Sequence, residues 1–222
     1  MHRNEQRQRH CSHALGGGPA DPTRVAPKAL PSGGFACDRR VTASPIKTLR
    51  PTVFLDRDGV INVDTGYPYK PSHLAFTPTA VAGIARINAA GCLAIVVTNQ
   101  SGVARGMFTL ADVGRFHDHL SGRLADAGVH IDAFYIAPYL AGGVVEAFAI
   151  EHEDRKPGPG MLRRAMREWP VDPSRSVLIG DKPSDAEAAR RAGIASITVA
   201  SDVCDLAETV SEWLDRTRTC PL

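Results

Sequence analysis

Short apolar runs alternate with stretches of helical period along most of this chain. Residues 52–56 read as a strand, and residues 78–90 as a helix, with Val81, Ile84, Ala85 and Ile87 near helical spacing and Gly91 as the stop. Residues 92–98 are continuously apolar and rich in β-branched side chains, as expected for a strand covered on both faces of a parallel sheet. A helix follows over residues 110–127, with Thr109 as N-cap and Gly128 beyond its end. The alternation continues with a strand at 131–136, an irregular insertion at 137–154, a helix at 159–168 and a strand at 176–179. A helix at 184–192 closed by Gly193, a strand at 195–199 and a helix at 205–216 complete it. Strands separated by crossover helices predict an α/β fold with a doubly wound, mostly parallel sheet.

Composition sharpens the boundaries. The 222 residues suffice for one α/β domain with a sizeable core. Charge is uneven: residues 1–50 hold nine Lys/Arg against three Asp/Glu, whereas the remainder is net acidic. That first stretch also collects Gly16–Gly18, Pro19, Pro22, Pro27, Pro31 and Gly33-Gly34, with little apolar periodicity. Residues 1–48 are therefore expected to be a disordered basic tail, and 49–222 the folded domain. The tail's arginines resemble a transit peptide only loosely, and a cytoplasmic, monomeric protein is the expectation. No apolar run suits a signal peptide or a membrane span. Five widely spaced cysteines without a CxxC suggest neither a disulfide framework nor a zinc knuckle, and Cys92 is expected in the core.

The candidate chemistry gathers where strands end. Asp56 and Asp58, directly after the first strand, can leave it on one side while Arg57 points away, and Gly59 lets the chain turn. Such a pair can hold Mg²⁺, or divide the roles of nucleophile and proton carrier; taken alone, it also reads as a polar turn. Thr98, Asn99, Gln100, Ser101 and Gly102 follow the second strand, Arg155-Lys156-Pro157 follows the insertion, and Gly180-Asp181-Lys182 follows a later strand. In a doubly wound sheet these ends lie at one edge, where ligands bind. Carboxylates, a hydroxyl with backbone amides, and an ammonium group are what phosphoryl transfer needs. Thr98 and nearby amides can donate to a phosphate, Lys156 brings positive charge, and Asp181 can complete a magnesium site with Asp56, since oxygen-only ligands favour magnesium over zinc.

These motifs, in this order, resemble the haloacid dehalogenase superfamily of aspartate-nucleophile phosphatases, over about residues 52–200. More narrowly, Asp56–Asn62, Asp64–Tyr67, Val97–Gly102 and Arg155–Pro157 resemble the D-glycero-D-manno-heptose 1,7-bisphosphate 7-phosphatases, and histidinol-phosphate phosphatases share most of the pattern. The resemblance implies a Rossmann-like fold without a large cap domain, and two-step hydrolysis. In it, Asp56 attacks phosphorus and Asp58 serves as acid and then base. Mg²⁺ is held by Asp56, the Asp58 carbonyl and Asp181, while Thr98 and Lys156 bind the transferring phosphoryl group. Asp64, Thr65, Gly66 and Tyr67, with Asn99, Gln100 and Ser101, match the family's sugar site. Arg155 and Lys182 could hold a second phosphate or an acidic group, the alternative for Arg155 being a surface salt bridge, and the implied partner is a small phosphorylated metabolite such as a sugar bisphosphate. Asp185 has two readings, a residue orienting Lys182 or metal-bound water, or a carboxylate favouring its helix dipole.

One departure stands out. Where family members carry a Cys-x-His and Cys-x-Cys zinc loop, this chain has Ala137, Tyr139, His152 and Asp154, so zinc is not expected. Packing of Val144, Val145, Phe148 and Ile150 is expected to hold that loop instead. His117 and His119 are expected at the surface, and Trp169 and Trp213 as helix-end packing. Histidinol phosphate remains the alternative substrate. Alternatives of other classes are a phosphorylated receiver domain and a non-catalytic module whose basic tail binds nucleic acid, an interaction the intact site argues against.

Overall fold

The computed structural model describes residues 48–219 together with the two-residue strand β1, Arg24–Val25. Apart from β1 and its last residue, the expected tail lies outside the described residues.

The sheet comprises β1, β2 (Thr52–Leu55), β3 (Leu93–Asn99), β4 (Ala133–Ala137), β5 (Val177–Gly180) and β6 (Ala195–Thr198). Its strand order is β1-β4-β3-β2-β5-β6. All pairings from β4 to β6 are parallel, and β1 lies antiparallel on β4. Alternation along each strand sends side chains to two cores. Val53 and Leu55 of β2, Ala94 and Val96 of β3, and Val177 and Ile179 of β5 meet α1 (Ala80–Ala89), α2 (Leu110–Asp126) and α5 (Leu206–Thr219) on one face. Phe54, Ile95, Val97 and Leu178 meet α3 (Gly160–Glu168) and α4 (Pro183–Ala192) on the other. Helices therefore cover both faces, which explains why β3 is apolar without alternation.

The chain runs β2, β3, β4 outward to one side, then returns to place β5 against the opposite edge of β2. This reversal puts the crevice at the carboxyl ends of β2 and β5. Helix boundaries follow their local chemistry. Thr109 and Asp112 exchange capping-box hydrogen bonds at the start of α2, and Gly193 closes α4 in the left-handed region at φ 77°. Trp213 is buried in the first core, and Trp169 caps α3 while packing on the second. Cys92 is buried as expected.

Two packing expectations fail. His117 is fully buried on α2, not at the surface. Val144 and Ile150 are 77% and 47% exposed, so they do not pin the 137–154 insertion; Phe148 packs against a small cluster around Phe108.

Candidate active site

β2 ends in Leu55, and the next residue, Asp56, enters the crevice with its amide bonded to Ile179 O of β5 at 3.0 Å. Both hydrogen bonds to its carboxylate fall on Oδ1, from the Arg57 amide at 2.7 Å and from Lys156 Nζ at 3.0 Å. Among the described residues, Oδ2 accepts none. Burial raises the Asp56 pKa to about 6, with Asp185 and Asp58 adding to the shift and Lys156 opposing it.

Lys156 is buried and fully engaged. Its ammonium also meets Asp185 Oδ1 at 2.5 Å and Val97 O at 2.9 Å. Burial lowers its pKa, but the two carboxylates outweigh burial and raise it, keeping it cationic. The backbone of Lys156 is anchored separately. Asn99 at the end of β3 accepts from its N–H and donates to its carbonyl, each at 3.0 Å. Asn99 thus faces the lysine backbone as well as the cavity expected for substrate.

Asp181, from the end of β5, completes a carboxylate group with Asp56 and Asp185, whose ligand oxygens lie within 4.8 Å of one another. Asp181 Oδ1 is buried without a hydrogen-bond partner. A buried, unsatisfied carboxylate oxygen beside two others is costly unless a cation neutralises it, and an all-oxygen donor set fits magnesium. Gly59, at φ 86°, makes the close approach possible: a Cβ there would lie 2.5 Å from Asp181 Oδ2. Asp185 also accepts from the Lys182 amide at 3.0 Å. The first-turn reading of Asp185 fits, since it caps α4, but the expected orientation of the Lys182 side chain does not: the side-chain partner of Asp185 is the Lys156 ammonium.

Asp58 has a different environment. Arg57 does not point away; it folds back and grips Asp58 through Nε at 2.9 Å and Nη2 at 2.8 Å. Asn62 and Gln100 add donors at 2.9 Å each. Burial pushes the Asp58 pKa up, but Arg57 and these hydrogen bonds outweigh it and hold the carboxyl below its usual range. Arg57 is itself fully buried, over the Phe116 ring at 4.5 Å and bonded to His117 Nε2 at 3.2 Å. Since a guanidinium only donates, His117 Nε2 accepts and its proton sits on Nδ1. Burial, then Arg57, drives the His117 pKa well below 6.5, so the ring is neutral. The signal for its burial lay in spacing: Val113, His117, Leu120 and Leu124 form one helical stripe.

Gln100 is buried, and its Nε2 donates to both Asp58 Oδ2 and Thr98 Oγ1, each at 2.9 Å. Thr98 is likewise buried at this end of β3. An open cavity of about 340 Å³ adjoins these groups. Asp58, Asn99, Gln100, Ser101 and Lys156 line it together with Asp64, Gly66, Tyr67, Arg155 and Lys182, and Ser184 is an addition sequence reasoning missed. Of the expected substrate residues, Thr65 alone is not in the lining; it is exposed on the loop whose turn is made by the Asp64 carboxylate and the Gly66 amide at 2.9 Å. Lys182 pairs with Asp64 at 3.3 Å. Burial lowers the Lys182 pKa, but Asp56, Asp181 and Asp64 reverse that and raise it. Arg155 meets no carboxylate among the described residues, and burial followed by repulsion from Arg105 lowers its pKa. Asp202, another residue sequence reasoning missed, adopts φ 63°, and its Oδ1 accepts from the Asp64 amide at 2.7 Å.

The fold and this constellation of carboxylates and lysine define a phosphohydrolase of the HAD-like class. A family model described as HAD-hydrolase-like matches residues 154–218. A D-glycero-beta-D-manno-heptose-1,7-bisphosphate 7-phosphatase from Rhodopseudomonas palustris is 46% identical over 145 residues, covering 65% of this chain and 81% of that one. The protein of the same name from Yersinia pestis is 36% identical over 167 residues, covering 74% and 89%. Among solved structures, a D,D-heptose 1,7-bisphosphate phosphatase from B. bronchiseptica, complexed with magnesium and phosphate, is 32% identical with TM-score 0.65, covering 75% of this chain and 99% of that one. A HAD-like phosphatase from Mesorhizobium loti reaches TM-score 0.71 at 35% identity, covering 81% and 91%.

The chain belongs to the HAD-like phosphatases, in the branch whose relatives carry the heptose-bisphosphate phosphatase name. It is a phosphatase, and the binding-module and receiver readings fall with that assignment. No helix among the described residues is long and apolar enough to cross a membrane.

Proposed function

We propose that this phosphatase uses Mg²⁺ and an aspartyl-phosphate intermediate to remove one phosphate from a small sugar bisphosphate. The 7-phosphate of D-glycero-D-manno-heptose 1,7-bisphosphate is the leading target. The observation that carries the chemistry is the Asp56 carboxylate, held by Oδ1 and unengaged at Oδ2, beside Lys156 and Asp181.

Asp56 Oδ2 forms a bond to phosphorus as the bond from phosphorus to the sugar oxygen breaks, and that oxygen takes a proton from Asp58. Water then gives a proton to Asp58 and attacks phosphorus, breaking the bond to Asp56 and releasing phosphate. Without substrate, Arg57 keeps Asp58 ionised. An arriving phosphate dianion brings like charge beside it and favours its protonated form. Thr98 would donate to the equatorial oxygens, while Lys156, whose three N–H groups already meet Asp56, Asp185 and Val97, would act on them through its charge or by exchanging one of these partners. Asp56 and Asp181, with the Asp58 carbonyl, would hold Mg²⁺, whose charge screens the repulsion between carboxylate and phosphate.

The substrate class follows from charge. Arg155 has no carboxylate partner among the described residues and lies close enough to Arg105 for repulsion, so this side of the cavity suits a second anion. The same pair disfavours the ammonium group of histidinol phosphate. Phosphate release with Mg²⁺ should be fastest for heptose 1,7-bisphosphate when both anomers, histidinol phosphate and common sugar phosphates are compared. Equal slow hydrolysis of all of them would remove the heptose assignment.

A further inference from the structure

The 137–154 insertion leaves the sheet at the end of β4 and returns beside Arg155, yet its apolar residues Val144 and Ile150 are exposed. Burial of these side chains therefore does not hold it. Polar and aromatic contacts close its neck instead. The rings of Tyr139 and His152, one at each end, stack with centroids 3.9 Å apart at 18°. The next turn is locked by the Asp154 amide donating to His152 Nδ1 at 3.1 Å. The buried Asp154 carboxylate pairs with Arg164 of α3 at 3.2 Å, and that guanidinium lies over the Tyr135 ring at 5.1 Å.

This neck bears directly on Arg155. Its guanidinium donates to Tyr139 O at 3.2 Å, and its amide donates to His152 O at 3.1 Å. Both acceptors belong to the stacked pair. Lys156 is held differently, through Asn99 and Val97 of β3. The two neighbouring cations thus have separate supports.

A zinc ion does not fit here. The His152 Nδ1 lone pair is taken by an amide, Asp154 is matched by Arg164, and neither Ala137 nor Tyr139 supplies a thiolate. We infer that the Tyr139–His152 stack, braced by Asp154–Arg164, is a metal-free clasp that aims Arg155 at the second phosphate of the substrate. Tyr139, His152 and Asp154 are then positioning residues for specificity, a role that rests on the sugar-bisphosphate reading above.

Separate supports predict a separable effect. Tyr139→Ala should raise KM for heptose 1,7-bisphosphate about tenfold, the scale of one charge-assisted hydrogen bond, with little change in kcat. Its kcat/KM for p-nitrophenyl phosphate, which has no second anion, should stay near that of the parent. Tyr139→Phe keeps the ring and should behave as the parent, His152→Ala should reproduce Tyr139→Ala, and in an Arg155→Ala background Tyr139→Ala should add little. Equal losses on both substrates, or an undiminished KM effect without Arg155, would overturn the clasp; so would stoichiometric zinc in the purified protein. If the parent itself shows no preference for the bisphosphate, the substrate reading fails instead. Hydrogen exchange then judges the clasp: faster exchange at Leu140 and Arg155 in Tyr139→Ala but not Tyr139→Phe supports it, and unchanged exchange refutes it.

Discussion

Replacing Asp56, the proposed nucleophile, should make the metal-free protein more stable. Asp56 is 4% exposed, and folding raises its pKa from 3.8 to about 6. The folded state therefore holds this proton more tightly than the unfolded chain does. The resulting stabilisation is complete below 3.8 and is lost as pH rises through about 6. Above that range the protein carries a buried carboxylate whose ionisation costs, at 1.36 kcal/mol per pK unit, about 3 kcal/mol. Asp56→Asn is nearly isosteric, retains an acceptor for the Arg57 amide and Lys156, and removes the charge. Urea unfolding in EDTA should show the variant more stable by up to about 3 kcal/mol at pH 8, or about 6–12 °C in Tm for a domain of this size. At pH 3.5 the advantage should vanish. Mg²⁺ should narrow the gap at pH 8, because the proposed metal site uses a carboxylate the variant lacks. Turnover should be abolished throughout. A variant less stable than the parent at pH 8, or a difference independent of pH, would refute the argument that burial dominates at this residue.

Asp58→Asn should lower kcat by about 100-fold or more while changing KM little, because the proposed acid and base is lost but the cavity remains; steady-state phosphate release measures both. Gly59→Ala should cost about 1–3 kcal/mol for the left-handed backbone and the clash with Asp181, and should raise the Mg²⁺ concentration needed for half-maximal activity. For His117, whose folded pKa is depressed below 6.5, the neutral ring contributes stability that is present above 6.5 and lost as pH falls. His117→Gln still offers Arg57 an acceptor, so urea midpoints at pH 8 and pH 5 should differ less in this variant than in the parent.

Much of the fold was legible because its physics is local. The uninterrupted apolar character of Cys92–Val97 reports coverage on both faces, and Thr109, Gly128 and Gly193 mark helix ends through their own geometry. The site was legible as strand ends, which the topology then gathers. What escaped was whatever depends on a side chain's final direction. Arg57 lies between two site residues, and nothing in their alternation says that it returns to grip Asp58. The carboxylate of Asp185 finds Lys156 only because β5 and α4 place it there. Thr65 sits in a matching motif, yet the turn made by Asp64 and Gly66 leaves it outside the cavity. Hydrophobicity suggested that Val144, Val145, Phe148 and Ile150 together hold the insertion, whereas Val144 and Ile150 are exposed and Phe148 is joined by a ring pair and an ion pair at the neck.

Gln100 gives the site a fixed polarity. Its amide nitrogen spends its protons on Asp58 and Thr98, so the Thr98 hydroxyl must accept there and its own hydrogen is left to donate elsewhere. The threonine is thereby preset as a donor, as its proposed contact with a phosphate requires. A glutamate at position 100 would fill almost the same volume but invert this arrangement, drawing the Thr98 proton inward and setting a second negative charge against Asp58. The direction of two hydrogen bonds, rather than the space they occupy, is what would ready this corner of the site for an anion.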